Sequence, residues 1–304
     1  MKPGQASNTA KIIAASTILL ASDPRTSAQV APGAATLCQK LLSGSTADRW
    51  LAKSAAHPLT RALWRWIERL TLPGIVSHYW HRKRWIERRC RSAIAEGFER
   101  VVILGAGFDT LGLRLSDELP QIDVIEIDHP ATQGAKQRAL SRSSTVQPAN
   151  LRFIALDLSA EPLPAILFDG KATIVIIEGV LMYLSPADVA RLFDALRHLS
   201  SCNRTRIVFS FMTRWPDGRS GFRPHSWLIE RWLAWRNEPF TWAVAPHAMQ
   251  EFFTAHRFRL MEMAETRQFT EQSAMQASML EGENLVVCEP IWAMVRDGFA
   301  TGSI

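Results

Sequence analysis

The chain has 304 residues, of which 47% are hydrophobic and 21% charged, a composition typical of a soluble globular protein and unlike that of a disordered or fibrous chain. Its length suits one α/β domain with added helices. No apolar run approaches the roughly 20 residues that cross a bilayer. We therefore expect no membrane-spanning segment and no membrane partner.

The N-terminal third is predicted to be helical. Residues 12–22 are similar to the apolar region of a secretory signal peptide. The segment before residue 12 has few positive charges, however, and is interrupted by Pro3 and Gly4, so we expect a cytoplasmic protein. A helix is predicted over residues 51–70, interrupted near Pro58. Its apolar side chains at helical spacing are Leu63, Trp64, Ile67 and Leu70.

A second helix, predicted over residues 79–95, carries a basic cluster on its outer side and packs Trp85, Ile86 and Ile94 inward. The cluster consists of His81, Arg82, Lys83, Arg84, Arg88, Arg89 and Arg91. It suits either a nucleic acid or a solvated helix face near an anionic substrate. Charges are mixed elsewhere and the net charge is only +6, so we favour the second interpretation and expect no nucleic-acid partner.

The four cysteines, Cys38, Cys90, Cys202 and Cys288, are far apart and have no further cysteine or histidine at zinc spacing. This usage is typical of reduced thiols in a cytosolic protein. No metal site is expected.

Residues 101–130 are predicted to form a strand, a glycine turn, a helix and a second strand. The uniformly apolar run Val101–Leu104 is typical of a parallel strand covered by helices on both faces. Gly105 and Gly107 follow it, and glycines there allow backbone amides to approach a ligand. This arrangement predicts half of a nucleotide-cofactor site.

The second strand, Val124–Ile127, ends on Glu126 and Asp128, about 20 residues beyond the glycines, where a doubly wound fold places a ribose-binding carboxylate. The third glycine of a dinucleotide fingerprint is replaced by Thr110. Asp109 would in addition repel a diphosphate. A cofactor without phosphate fits better, and S-adenosylmethionine is such a cofactor.

Three further strands are predicted, over residues 151–155, 173–177 and 207–212. The first ends in Asp157-Leu158 and the second in Glu178-Gly179, so acids follow successive strands at the sheet edge where ligands bind. Ser185, Pro186 and Asp188 form a helix start. The helix is predicted to bury Val189, Leu192, Phe193, Leu196 and Leu199.

Residues 214–246 alternate tryptophan with arginine and are interpreted as an inserted helical cap that determines substrate specificity. The residues concerned are Trp215, Trp227, Trp232, Trp235 and Trp242 with Arg214, Arg219, Arg223, Arg231 and Arg236. Alternatively, the tryptophans only seal the insertion onto the core. A helix near residues 249–255 and strands over residues 258–263 and 285–288 complete the chain.

These patterns predict an N-terminal helical segment (residues 1–97), a cofactor-binding core (98–213), the inserted cap (214–246) and a segment that completes the sheet (247–304). The predicted class is α/β.

The sequence resembles the leucine carboxyl methyltransferase family, a branch of the class I S-adenosylmethionine-dependent methyltransferases. The resemblance rests on LGAGFDT at 104–110, EIDHP at 126–130, DL at 157–158 and EGVLMYL at 178–184, and is clearest over residues 79–212. It implies a Rossmann-like, seven-stranded and mostly parallel sheet. It also implies an enzyme that uses S-adenosylmethionine.

The resemblance assigns roles residue by residue. Gly105 and Gly107 would line the methionine end of the cofactor, Asp128 would hold the ribose hydroxyls, and Asp157 with Leu158 would hold the adenine. Glu178 would face the amino acid end, Arg82 would pair with the cofactor carboxylate, and Tyr183 would reach toward the acceptor.

Alternatives remain for several of these residues. Asp109 is either a cofactor contact or an N-cap of the following helix. Glu178 could cap a helix instead, Tyr183 could be a packed core residue, and Lys83 or Arg84 could replace Arg82.

The reaction expected is transfer of a methyl group to an oxygen of a small acid or secondary metabolite. A carboxylate acceptor needs no general base, whereas a hydroxyl would benefit from one, for which the sequence offers His225 and His247. Alternatives are methylation of a protein C-terminus or of modified RNA, and a non-catalytic binding protein on the same fold.

Overall fold

The computed structural model describes residues 6–227, 231, 239–270 and 280–291. Within them, seven strands form one sheet: β1 Arg100–Leu104, β2 Asp123–Asp128, β3 Leu151–Ala155, β4 Thr173–Ile177, β5 Thr205–Met212, β6 Phe258–Glu265 and β7 Glu283–Pro290. Their order is β3-β2-β1-β4-β5-β7-β6. The five strands from β3 to β5 are parallel, and β7 is antiparallel to both neighbours.

Helices precede the sheet and alternate with its strands. They are α1 Asn8–Ser22, α2 Ala34–Leu41, α3 Thr46–Ala56, α4 Pro58–Thr71, α5 Ile75–Ala95, α6 Leu111–Glu118, α7 Pro130–Arg142, α8 Pro186–Cys202, α9 Met249–His256 and α10 Thr266–Thr270. The alternation of parallel strands and helices confirms the predicted α/β class. None of the helices described is long and apolar enough to span a bilayer.

The sheet separates two apolar layers. On one side, α1 and α5 contribute Ile18 and Trp85 to a layer that includes Ile103 of β1. On the other side, the Phe193 ring lies 5.5 Å from the rings of Phe209 and Phe258 in edge-to-face contacts. Because both faces are covered, the runs 101–104 of β1 and 174–177 of β4 are uniformly apolar, as the sequence predicts.

Helix α8 begins as the sequence predicts. The Ser185 hydroxyl accepts a hydrogen bond from the Asp188 amide (3.2 Å), which stabilises the helix start. The predicted apolar residues of this helix, Val189, Leu192, Phe193, Leu196 and Leu199, are all buried.

The predicted helix over residues 51–70 is two helices, α3 and α4, because Pro58 begins the second one. The interruption near Pro58 is thus confirmed, but the four apolar residues at helical spacing do not share one buried face of α4. Leu63 and Leu70 are 53% and 59% exposed, whereas Trp64 and Ile67 face a cavity.

The predicted cap lies partly outside the described residues, which include neither Trp232, Trp235 nor Arg236. Its described ends are held by backbone bridges between Arg214 and Ser220 and between Thr213 and Val244. Trp242 is buried in the core, 5.6 Å from the Phe252 ring, which fits the alternative that it seals the insertion. Trp227, in contrast, is exposed.

A fully buried ion pair joins α7 to the sheet. Lys136 Nζ lies 2.6 Å from Glu126 Oε2, and neither side chain is exposed. The same ammonium donates to the Asp109 carbonyl (2.6 Å) in the loop after β1. Lys136 therefore connects the glycine loop, β2 and α7.

We expect Lys136→Met to lower the free energy of unfolding by about 3–5 kcal/mol, because it leaves the Glu126 carboxylate buried without its partner. Urea unfolding followed by circular dichroism measures this. As a control, Lys171→Met removes a half-exposed ammonium from an ion pair with Asp123 and is expected to cost about 1 kcal/mol or less. Equal effects of the two changes would contradict the prediction.

Candidate active site

The register of the sheet brings the loops that carry the predicted site residues to one edge. Leu104, the last residue of β1, pairs with Ile127 of β2 and with Ile177 of β4. The glycine turn, Asp128 and Glu178 follow these three positions, so they meet at the carboxyl edge of the sheet. Glu126 is not part of this edge, because it is buried against Lys136.

A cavity of about 1270 Å³ opens at this edge. Every site residue predicted from the sequence lines it: Arg82, Gly105, Gly107, Asp109, Asp128, Asp157, Leu158, Glu178 and Tyr183. Cavities for one small ligand usually have about 300–1000 Å³. This one therefore has room for a cofactor together with a second molecule.

The glycine loop depends on both of its glycines. Gly105 has φ +69° and Gly107 has φ +53°, a region that favours glycine. A Cβ on Gly105 would lie only 2.2 Å from Val180 Cγ2. The loop consequently exposes backbone to the cavity at both positions.

Asp128 is fixed by backbone amides. Its Oδ2 accepts a hydrogen bond from the Gly107 amide and its Oδ1 from the His129 amide. Burial raises the pKa of the carboxyl, and these two hydrogen bonds oppose that rise. Each oxygen retains a lone pair for another donor, so a diol at this edge of the cavity could be held by both.

Asp157 and Leu158 lie at the end of β3 on the cavity wall. Asp157 Oδ1 accepts from the Ser159 amide (2.9 Å) and hydroxyl (2.6 Å). The hydroxyl bond is the main reason why the pKa of Asp157 is lowered. Leu158 packs against the core and offers an apolar surface beside a carboxylate, which suits a heteroaromatic ring.

Arg82 is buried on α5 and joins two carboxylates. Its Nε and Nη2 bind Glu178 (3.0 and 2.8 Å), and its Nη1 lies 2.9 Å from both oxygens of Glu283. His78 Nε2 contacts Glu283 from the other side, at 2.7 Å. The expectation that the arginines of α5 face outward is therefore wrong for Arg82, because burial of Glu283 requires a cationic partner.

Lys83 is the more accessible cation at this wall. Its Nζ lies 2.9 Å from Asp109 Oδ2 and 3.1 Å from Glu178 Oε1, and the side chain is 24% exposed. Burial lowers the pKa of Lys83, but the two carboxylates outweigh it and the pKa is raised. Both Arg82 and Lys83 are paired with acids, but Lys83 is 24% exposed and Arg82 only 4%, so Lys83 is the better placed of the two to meet a ligand carboxylate.

Asp109 serves the loop and the cavity together. Its Oδ1 accepts from the amides of Thr110 (2.6 Å) and Leu111 (3.3 Å) at the start of α6. The N-cap of this helix is Thr110, so Asp109 contacts the helix start from the position before the cap. Burial raises its pKa, but the Lys83 ammonium outweighs burial and holds the pKa well below the usual value. Asp109 is therefore ionised beside the cavity.

Tyr183 lies in a short 3₁₀ turn, Leu181–Tyr183, with its ring 5.7 Å from that of Phe240. A second tyrosine, Tyr79, also lines the cavity, and its ring lies 5.0 Å from the Arg82 guanidinium carbon. Burial raises the pKa of Tyr79 to about 12, so it remains protonated at neutral pH.

His225 and His247, the candidate general bases, are both exposed and are not among the residues that line the cavity. The structure does not bring them to the other site residues. His129 does line the cavity, and its Nδ1 accepts a hydrogen bond from the Ala131 amide at the start of α7 (3.3 Å). His78 is completely buried and bound to Glu283.

Sequence reasoning missed Glu283 and the contribution of α1. Glu283 begins β7 and belongs to no motif, and its partner Arg82 is 201 positions away, so no local signal could have identified it. Helix α1 places Ala10 against the glycine loop, 3.1 Å from where a Gly107 Cβ would lie. Its Ile13 also lines the cavity.

Comparison with known proteins identifies the family. The model of the leucine carboxyl methyltransferase family matches residues 32–197. The chain belongs to this family. The predicted family is thus confirmed by a match to more than half of the chain.

Two relatives carry names that assign them provisionally to the S-adenosyl-L-methionine-dependent methyltransferases. A Mycobacterium avium (strain 104) protein is 37% identical over 124 residues, 40% of this chain and 39% of that protein. One from Mycobacterium ulcerans (strain Agy99) is 36% identical over 157 residues, 50% of each chain. The chain thus spans half or less of these curated relatives. The cofactor in their names is the one that the sequence predicts.

A solved structure shares the fold. It is a protein from Thermobifida fusca YX, described provisionally as a methyltransferase, and it superposes with a TM-score of 0.55 at 17% identity. The match covers 85% of this chain and 94% of that one. At this identity the likeness shows the fold alone, and it agrees with the predicted Rossmann-like sheet.

We expect Glu283→Gln to reduce the dependence of stability on acid pH. Burial raises the pKa of Glu283, but Arg82 and His78 outweigh it and lower the pKa from 4.5 to about 2. The resulting stabilisation, about 3 kcal/mol, is complete above pH 4.5 and is lost as the pH falls towards 2. The variant lacks it, so its unfolding free energy at neutral pH is lower and changes less on acidification.

Denaturant unfolding at a series of pH values measures this difference. Glu289→Gln, on the same strand but partly exposed beside Arg206, is the control and should retain the acid dependence of the wild type. An unchanged slope in Glu283→Gln would contradict the assignment.

Proposed function

We propose that this protein is an S-adenosylmethionine-dependent O-methyltransferase that methylates an oxygen, preferably a carboxylate, of a small-molecule or secondary-metabolite acceptor. The observation that carries the proposal is the meeting of the glycine loop and three strand-end acids on one cavity of about 1270 Å³. Membership of the family supports the reaction class. The choice of oxygen and acceptor is our inference from the site.

The residues of the site fit the cofactor group by group. The glycine loop has no side chain at Gly105 or Gly107 that would fill the adjacent part of the cavity, and a Cβ on Gly105 would collide with Val180. Asp128, oriented by two amides, would hold the ribose hydroxyls, and Asp157 with Leu158 would receive the adenine. The acids Asp109 and Glu178 suit the ammonium and the sulfonium, and Lys83 or Arg82 suits the carboxylate.

When bound, S-adenosylmethionine supplies an electrophilic methyl group on a positively charged sulfur. The chain has to hold an acceptor oxygen in line with that methyl and exclude water. A carboxylate acceptor forms the new C–O bond with its own electron pair as the C–S bond breaks, so no proton is transferred. The negative charge of the acceptor carboxylate and the positive charge of the sulfonium would both be lost in this step. The apolar side chains of α1, α4 and α5 that line the cavity would favour this loss of charge.

The surroundings of the cavity favour a carboxylate over a hydroxyl acceptor. The predicted bases His225 and His247 are away from the cavity lining, His129 lines it but uses its Nδ1 to cap α7, and Tyr79 remains protonated. Tyr183 also lines the cavity, with its ring 5.7 Å from that of Phe240. We propose that it orients the acceptor through its phenol group.

The basic cluster of α5 gives less support to an RNA or protein substrate than the sequence indicates. Arg82 and Lys83 are bound to acids of the site, Arg89 pairs with Glu262, and Arg91 pairs with Glu87 and Glu118. Arg84 and Arg88 remain exposed at the cavity wall. Two cations at a cavity mouth suit a small anionic acceptor.

We expect wild-type protein to bind S-adenosylmethionine in calorimetric titrations. Asp128→Ala should bind it about tenfold to hundredfold more weakly, because the variant loses hydrogen bonds between a charged carboxylate and the ligand. Asp117→Ala, which removes an exposed acid of α6, should bind like the wild type. Absence of binding by folded wild-type protein would contradict the proposal and favour a non-catalytic binding protein.

Acceptors are identified by transfer of a labelled methyl group to a panel of carboxylic acids, phenols and alcohols. With a carboxylic acid we expect an ester product and a rate that does not change with pH once the acceptor is ionised. A rate that rises with a pKa of about 6.5, the ordinary histidine value, would instead indicate a general base and a hydroxyl acceptor.

A further inference from the structure

The cavity extends from the sheet edge into a space between α1, α4 and α5. The apolar residues that line this space are Ile13, Leu20, Trp64, Ile67, Ile75 and Val76. We call this part of the cavity the tail branch. Because its lining comes from helices that precede the sheet, it lies apart from the strand-end acids of the cofactor edge.

Helix α1 connects the cofactor edge with α4. Near its start, Ala10 lies 3.1 Å from where a Cβ on Gly107 would be. At its end, the Ser22 carbonyl accepts a hydrogen bond from Arg61 of α4. Ala10 and Ser22 are about 18 Å apart along the helix axis. The cavity-facing residues of α1 therefore run from the glycine loop toward α4.

Helix α5 makes the same connection on the other side of the tail branch. Its Lys83 contacts Asp109 and Glu178 at the sheet edge, and its Val76 amide donates to Glu68 Oε1 of α4 (3.1 Å). Lys83 and Val76 are about 11 Å apart along the helix axis. The tail branch is therefore elongated, with the cofactor edge at one end and α4 at the other.

Polar side chains of the tail branch bond to the protein itself. The hydroxyls of Ser16 and Thr71 line the cavity but donate to backbone carbonyls of their own helices (2.7 and 2.8 Å). Each hydroxyl has only one proton, so neither can also donate to a ligand. Trp64 Nε1 donates to Ser54 (3.2 Å), and its ring remains as an apolar surface.

The far end of the tail branch carries a negative charge. Glu68 lines the cavity there, its side chain is 9% exposed, and its Oε2 is 3.5 Å from Arg65 Nη1. A second anionic group on a ligand would meet this carboxylate, and an uncharged polar group would lose its hydration without gaining a donor. The part of a ligand that lies here is therefore apolar and uncharged.

The opposite direction along α5 has the opposite character. Beyond Lys83, the residues of α5 that line the cavity are all charged: Arg84, Glu87, Arg88 and Arg91. Before it, apart from Arg82, they are Ile75, Val76, Tyr79 and Trp80. A molecule whose carboxylate lies at the sheet edge thus has one apolar direction in which to extend, and that direction is the tail branch.

We propose that the methyl acceptor is a monocarboxylic acid with an elongated apolar tail, which lies between α1, α4 and α5. This inference rests on the proposed function and adds the class of acid. Tyr79 lines the cavity one helical turn before Lys83 and remains protonated, so its hydroxyl can donate to the acceptor carboxylate. The carboxylate oxygen would form the ester bond as the C–S bond breaks, and the products would be a methyl ester and S-adenosylhomocysteine.

Calorimetric titration of the full chain with straight-chain acids tests the proposal, both without and with S-adenosylhomocysteine. From hexanoate to dodecanoate, affinity should rise about threefold to fourfold for each added methylene until the chain reaches α4, and then level off. Dodecanedioate should bind about a hundredfold more weakly than dodecanoate, because its second carboxylate would be buried beside Glu68. With labelled S-adenosylmethionine, kcat/KM for methyl ester formation should follow the same order.

Ile67→Trp tests whether the tail contacts α4, because the larger side chain would fill the far end of the tail branch. This variant should bind hexanoate like the wild type but dodecanoate about tenfold or more weakly, the effect of a few methylenes left outside. A general loss of structure would weaken both acids alike. Leu59→Trp is the matched control, because it changes an 81% exposed leucine of the same helix and should retain the length dependence of the wild type. Circular dichroism checks that both variants are folded.

Three outcomes would overturn the proposal. One is an affinity that does not depend on chain length, and another is a length dependence that Ile67→Trp leaves unchanged. The third is dodecanedioate binding at least as tightly as dodecanoate, which would place the far end of the acceptor beside the arginines of α5.

Titration with S-adenosylmethionine alone separates this inference from the proposed function. If the cofactor binds but the acids show no length dependence, only the class of acid is wrong. If the cofactor does not bind and the acids show the expected length dependence, the proposed methyl transfer is wrong, and the tail branch is a binding site for such acids.

Discussion

The buried guanidinium of Arg82 is the contact on which the site depends. It joins α5 to Glu178, which follows β4, and to Glu283, which begins β7. Three segments that are far apart in the sequence are therefore fixed by one side chain. Because an unpaired charge in this position would be very costly, the helix, the loop and the strand can adopt only arrangements that keep both acids on the arginine. This constraint determines the shape of the cavity wall.

The same wall separates two electrostatic environments. At the sheet edge, acids and cations alternate within hydrogen-bonding distance, as in the contacts of Lys83 with Asp109 and Glu178. Away from the edge, α1 and α4 present apolar side chains such as Ile13 and Trp64. A zwitterionic cofactor and a less polar acceptor would therefore have different preferred ends of one cavity, and their reactive groups would meet between the two.

The sequence predicts local patterns well and distant pairings poorly. Apolar runs indicate the strand ends at Leu104 and Ile177, glycine indicates the turn after β1, and Ser-Pro indicates the start of α8. Each of these signals acts within a few residues. The partnership of Arg82 with Glu283 depends on how the last strand inserts into the sheet, and no periodicity records it. Helix α4 shows a second limit, because helical spacing indicates that a face is apolar but not whether the protein covers that face. The two halves of its apolar surface differ only in what the rest of the fold places against them.

Glu283 also has a consequence for the order in which the protein is made. The glycine loop, Asp128 and Glu178 have all been synthesised before β7, which nevertheless inserts between β5 and β6. Until that strand arrives, Arg82 lacks one of its two carboxylates and His78 lacks its partner. A nascent chain therefore contains most of the residues that line the cavity before Glu283 is available to fix the wall behind them. Completion of the pocket is a late event in biogenesis, and a ligand that recognises the finished pocket would report that the whole chain has folded.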